Sequence, residues 1–117
     1  MSPAAVIAIA LGGCLGALLR AFIGRLIQTR FPSATLIVNV AGSFIITLFL
    51  VRDPDPAGLV NAFLATGFCG ALTTFSTFIL EAVLLYRTGF RHMAVLYIGT
   101  TLFLCCLASW IAFISVR

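Results

Sequence analysis

The chain has 117 residues, of which 62% are hydrophobic and 9% charged, with a formal net charge of +4. Soluble domains carry roughly 45–50% apolar residues with glycine included, so an ordinary soluble globule is excluded. A disordered or nucleic-acid-coating chain is excluded as well, because both need many more charges.

All the cationic side chains are arginines, at 20, 25, 30, 52, 87, 91 and 117, and the acids are Asp53, Asp55 and Glu81. They divide the sequence into uncharged runs over 2–19, 31–51, 57–80 and 93–116. Each run is long enough to cross a hydrocarbon core of about 30 Å at about 1.5 Å rise per residue. The pattern predicts an all-α membrane protein: a single domain, 1–117, of four transmembrane helices joined by short connections. No basic residue precedes the first apolar run, and Gly12, Gly13 and Gly16 lie within it, so it reads as a span rather than a cleaved leader.

Cys14, Cys69, Cys105 and Cys106 fall inside the runs, where a free cysteine behaves as a small hydrophobe. Neighbouring Cys105 and Cys106 point to different helix faces and no histidine accompanies them, so neither a disulfide framework nor a metal site is expected. With four spans, Arg52, Arg117 and the terminal amine share one side of the membrane, against Arg25, Arg30, Arg87 and Arg91 on the other. This bias is weak. It fits a single preferred orientation, and it equally fits a chain that inserts both ways and pairs head to tail with itself.

In lipid, small residues and polar groups mark the faces that pack or line a cavity. In the first span Gly12-x-x-x-Gly16 forms a close-packing face, and Arg20 follows one turn later. Arg20 either snorkels to the interface or anchors a polar cluster inside the bundle. In the second span Thr35, Asn39, Gly42 and Ser43 form one helical stripe. Two readings of Asn39 stand open: an interhelical hydrogen bond, or an amide that offers N–H groups to a passing anion or to water.

After a turn at Asp53-Pro54-Asp55-Pro56, the third span packs two glycines and four hydroxyl residues into the twelve positions 67–78, pointing all round a helix. That density predicts a helix broken in mid-membrane, with carbonyls that protein, water or an ion must satisfy. Phe75 and Phe78, three apart, share a face with Thr74, and Glu81 closes the span, with a salt bridge to Arg20 as its simplest role. Tyr97, Thr101, Cys105 and Ala108/Ser109 make a thinner polar stripe in the fourth span, and His92 is placed in the preceding connection. One exposed histidine, no paired carboxylates and no phosphate loop give no catalytic arrangement, so no enzyme is expected.

The order Gly12-Gly13-x-x-Gly16-Ala17-x-x-Arg20, Asn39-x-x-Gly42-Ser43, and Gly67-x-x-Gly70-x-x-Thr73-Thr74-Phe75-Ser76-Thr77-Phe78-x-x-Glu81 resembles the Fluc (CrcB) family of small microbial fluoride channels. The resemblance implies a dual-topology homodimer in the bacterial plasma membrane. By the same resemblance, two antiparallel protomers would enclose two fluoride pores and one structural sodium ion, and fluoride would leave the cytoplasm passively. By motif position, Phe75 and Phe78 resemble the phenyl residues whose ring edges contact fluoride, and Asn39 resembles the pore amide. Ser76 and Thr77 join the polar track, Tyr97 and Thr101 resemble its hydroxyl positions in the fourth span, and the Gly70 and Thr73 carbonyls hold the sodium. Arg20 and Glu81 correspond to the charged pair of the vestibule. The chain departs from the pattern at Cys105, where a hydroxyl is expected, and at Ala21, where an aromatic is usual.

Fluoride is small and strongly hydrated, so a pore must replace its water with donors; neutral amides, hydroxyls and the positive edges of phenyl rings can do this. A drug/proton antiporter of similar size needs a buried carboxylate in its first span, and none of the first 52 residues is acidic. A non-conducting assembly subunit or a lysis protein has no need of an amide stripe combined with a broken third helix.

Overall fold

The computed structural model describes residues 1–53, 55 and 57–117. Among the described residues, four helical spans are long and apolar enough to cross a membrane. The first is α1 (Pro3–Leu26) and the second is α2 (Ser33–Arg52). The third, Leu59–Arg87, is composite: α3 (Leu59–Asn61), a π-helical stretch (Ala62–Cys69), α4 (Gly70–Leu72), an interruption at 73–75, and α5 (Ser76–Arg87). The fourth span is α6 (Arg91–Val116).

The sequence marks the ends of these helices. The Ser2 hydroxyl accepts from the Ala5 N–H at 3.1 Å and Pro3 takes the first helical position, where its missing donor costs nothing. At the far end of α5, the Gly89 N–H bonds Tyr86 O and the Phe90 N–H bonds Leu85 O, with Gly89 at φ 95°. This is the paired closure that a left-handed glycine permits, and it turns the chain directly into α6. In the second connection the Asp55 carbonyl accepts from the Gly58 N–H and from Asn61 Nδ2. Pro54 and Pro56 of the expected turn lie outside the described residues.

The two most extensive helix pairings are α1 on the π-helical stretch and α2 on α6, with α5 also packed on α6. Glycine makes the first possible. A Cβ on Gly12 would strike the Phe63 carbonyl, one on Gly16 the Phe68 carbonyl, and one on Gly67 would lie 2.6 Å from Ile9 O. The two backbones therefore meet directly, the contact that small-residue spacing provides in lipid. At the other end, Phe78, Ala82, Leu85, Ala94 and Tyr97 form a buried cluster, flanked by Phe31, Leu36, Phe90 and Met93.

Two expectations are corrected. Glu81 does not close its span, because α5 continues to Arg87 and carries the carboxylate inside the bundle, where hydroxyl donors satisfy it. His92 is not in a connection: the chain re-enters helix at Arg91, immediately after the tight Gly89 turn. The break in the third span falls where expected, with 59–72 on one side and 76–87 on the other. The π-helical winding before it was not foreseen; windings of this kind recur at functional sites.

Candidate functional site

The interruption at 73–75 is built by one side chain from another helix. Thr73 turns extended (φ −82°, ψ 156°), so Thr74 leaves the helical ladder. The Thr74 N–H donates to Asn39 Oδ1 at 2.8 Å, and Asn39 Nδ2 donates back to the Thr74 carbonyl at 3.0 Å. In a continuous helix that N–H would serve the Gly70 carbonyl four residues earlier; its diversion to Asn39 releases Gly70 O. The Thr73 N–H and Oγ1 both bond Cys69 O, which closes the last turn before the break. Beyond it, the Thr77 N–H donates to Thr74 Oγ1 at 3.2 Å, so Thr74 also caps α5 with its side chain. Gly42 gives this turn its room, since a Cβ there would collide with Thr73 Cγ2.

Two clefts, each of about 480 Å³, flank the break. The first is uncharged. Asn39, Ser43, Gly70, Thr73, Phe75, Phe78, Thr101 and Cys105 border it. Asn39 Nδ2 carries two hydrogens and spends one on Thr74 O, which leaves a second donor. Thr101 is 3% exposed and its Oγ1 has no hydrogen-bond partner. The Phe78 ring, also buried, lies 5.9 Å from Phe75 and packs edge-on to Tyr97 at 5.2 Å. Phe75 itself is 68% exposed on the protomer surface.

The second cleft is charged. Arg20, Glu81, Thr35, Thr77 and Gln28 border it, and Thr74 borders both clefts. Arg20 donates to the Thr73 carbonyl at 3.4 Å, while Glu81 accepts from Thr35 Oγ1 at 2.5 Å and from the Tyr97 hydroxyl at 3.4 Å. The two charged groups thus share a cleft, but their hydrogen bonds run to different partners. The half-buried Glu81 carboxylate is thus held by two hydroxyl donors.

The structure therefore gathers Asn39, Phe75, Phe78, Thr101, Gly70 and Thr73 on one cleft, and Arg20, Glu81 and Thr77 on the other. Tyr97 and Ser76 border neither. Tyr97 is fully buried and supports Phe78 and Glu81, whereas Ser76 is exposed with its Oγ 3.4 Å from Thr74 Oγ1. Sequence reading missed Thr74 as a site residue and the bond of Thr35 to Glu81. For Thr35 there was a signal, its place on the stripe of Asn39 one turn away. Thr74 acts partly through its backbone, which sequence does not advertise.

Comparison with known proteins points the same way. Residues 7–113 match the family described as CrcB-like protein, Camphor Resistance (CrcB). Among curated relatives, a Campylobacter jejuni protein named "Fluoride-specific ion channel FluC" is 41% identical over 116 residues, covering 93% of this chain and 94% of that one. A Sulfurovum protein of the same name is 44% identical over 114 residues, covering 93% and 90%. One from Acidobacterium capsulatum, again so named, is 43% identical over 115 residues, covering 91% and 90%. A match over nearly the whole chain, to a family with the motif order found here, shows that this four-span protein belongs to the CrcB family.

Proposed function

We propose that this chain is a passive, fluoride-specific ion channel of the bacterial plasma membrane, working as an antiparallel homodimer with two pores and lowering cytoplasmic fluoride. The observation that carries this reading is the uncharged cleft, bordered by Asn39, whose amide has a hydrogen beyond the one given to Thr74, by the hydroxyl residue Thr101 and by the ring of Phe78. A fluoride ion must exchange water for donors of comparable number. Amide, hydroxyl and ring-edge donors supply them without a full positive charge that would hold the ion in place. Arg20 in the second cleft draws anions toward the break, and Thr77 and Ser76 extend the hydroxyl track beside it.

A second copy of the chain completes the path. Gly70, Ser76 and Thr77 are exposed on the protomer at the middle of the third span, where hydrocarbon cannot satisfy a carbonyl or a hydroxyl. Pairing head to tail covers them, and it agrees with the weak arginine asymmetry. The released Gly70 carbonyl and the Thr73 carbonyl, which carries only a long bond from Arg20, are hard oxygen donors of the kind that suits sodium. These residues would hold the ion between the two broken helices, and its positive charge would satisfy their carbonyl dipoles there. The test is efflux from liposomes followed with a fluoride electrode. Fluoride is expected to leave down its gradient with chloride largely retained; equal chloride release, or release only with a coupled proton gradient, overturns the proposal.

A further inference from the structure

The tight turn at Gly89 brings three exposed cations to one end of the bundle. A cleft of about 350 Å³ opens there, bordered by the polar Arg30 and Thr88 and by the apolar Pro32, Leu84, Leu85 and Phe90. The Arg30 guanidinium carbon lies 4.5 Å from the centroid of the Phe90 ring, and that of Arg91 lies 4.9 Å from the centroid of Tyr86. Arg91 follows Phe90 in the chain and Arg87 precedes Thr88, so both stand one residue from the border that Arg30 lines. A guanidinium held over a ring keeps its in-plane N–H groups for other acceptors. Among the described residues Arg20 is the one arginine that donates a side-chain hydrogen bond, so those N–H groups are unspent. The hydroxyls nearby are committed, Thr88 to Leu84 O and Thr29 to Phe31 O.

The acid that borders this cleft, Glu81, lies six residues before Arg87, about 9 Å deeper along α5. Its carboxylate is already held by Thr35 and Tyr97. The chain's other acids, Asp53 and Asp55, belong to the second connection at the opposite end. The Gly89 turn joins the third and fourth spans, so the three guanidinium forks stand at headgroup level with apolar side chains beside them. Such forks match the oxygens of a phosphate. We propose that Arg30, Arg87 and Arg91 bind the phosphodiester of an anionic phospholipid of the phosphatidylglycerol class, whose glycerol esters lie in the cleft against Leu84 and Phe90. A zwitterionic lipid would bring an ammonium group to a surface that offers it no carboxylate. A free phosphate would leave the apolar border unused. The proposal needs only that the turn lies at the membrane surface, and it stands apart from the channel reading.

The test titrates the full-length protein, in a neutral detergent, with dioleoyl phosphatidylglycerol and separately with dioleoyl phosphatidylcholine, bound lipid being counted by native mass spectrometry. The phosphatidylglycerol is expected to bind several-fold tighter and to raise the melting temperature. Arg30→Gln/Arg91→Gln should weaken its binding about fivefold for each arginine removed, at unchanged elution volume. Arg52→Gln/Arg117→Gln, which takes the same charge from the other end, should bind as the wild type does. Equal affinity for the two lipids overturns the site, and so does an equal loss in the two double variants, which would mean that net charge alone matters. Inorganic phosphate, at a concentration where phosphatidylglycerol acts, should leave the melting temperature unchanged; an equal rise overturns the lipid in favour of a free anion.

Discussion

Asn39 and Thr74 are bonded to each other twice, side-chain amide to backbone peptide, with Thr74 N–H to Oδ1 at 2.8 Å and Nδ2–H to Thr74 O at 3.0 Å. A single carboxamide on α2 thus stands in for the helical partners that the third span gives up at its break. The two readings of Asn39 left open by the sequence are compatible, since one amide hydrogen is structural and the other is free.

Replacing Asn39 separates these roles. Asn39→Ala leaves the Thr74 N–H and carbonyl without partners, and each buried orphan costs about 1–3 kcal/mol. The variant is expected to unfold more readily in detergent by the sum of the two, about 2–6 kcal/mol, and to lose fluoride efflux. Asn39→Asp keeps an acceptor for the Thr74 N–H but sets a negative charge in the cleft, so it should block efflux with a smaller loss of stability. Wild-type melting and efflux in Asn39→Ala would refute the clamp.

Gly42→Ala places a methyl against Thr73 Cγ2. Overpacking of this kind costs about 1–3 kcal/mol. Thr73→Ser removes the colliding methyl while keeping the hydroxyl that bonds Cys69 O. Thermal denaturation should therefore show Gly42→Ala destabilised and the double variant largely rescued, a non-additivity that only a direct contact produces.

Thr101→Val keeps the side-chain shape and deletes a buried hydroxyl that has no partner in the protein. Stability should hold or rise by about 1 kcal/mol, the desolvation cost of that group, while fluoride efflux falls. A parallel loss of both would mean that the hydroxyl is structural.

Phe78→Ile retains apolar bulk and removes the ring edge. The lost edge contact with Tyr97 is worth about 0.5–1.5 kcal/mol beyond the area that isoleucine keeps buried, so efflux should drop sharply in protein of normal elution volume. Conduction at the original rate in such a sample would strip Phe78 of its role.

Head-to-tail pairing and the sodium site are read together. A single cysteine at exposed Thr29, in a chain lacking the four natural ones, should be labelled from both sides of the membrane. Replacing sodium by N-methylglucamine should lower the melting temperature of the solubilised protein, since an ion bound only by the folded form stabilises it. One-sided labelling refutes dual topology, and a melting temperature indifferent to sodium refutes the cation site.

Much of this was legible in the sequence because lipid makes the rules strict. Arginines punctuate the chain at span ends, so the four spans stood out, and the stripe of Thr35, Asn39 and Gly42 is buried as its helical spacing required. The crowd of glycines and hydroxyls in 67–78 foretold the break. Glu81 was misjudged because a charge was taken to mark an interface. Its partners Thr35 and Tyr97 lie 46 and 16 residues away, and nothing local shows that they converge on it. The π-helical stretch stayed hidden as well: its residues are those of any apolar helix, and the wider winding leaves no distinct periodicity in eight positions.

Thr74 is a wall that the neutral cleft and the charged one have in common. Its peptide is the one the Asn39 carboxamide holds at both ends. A single side chain on α2 therefore pins the boundary between two spaces of different electrostatic character, and any movement of α2 against the third span is felt in both at once.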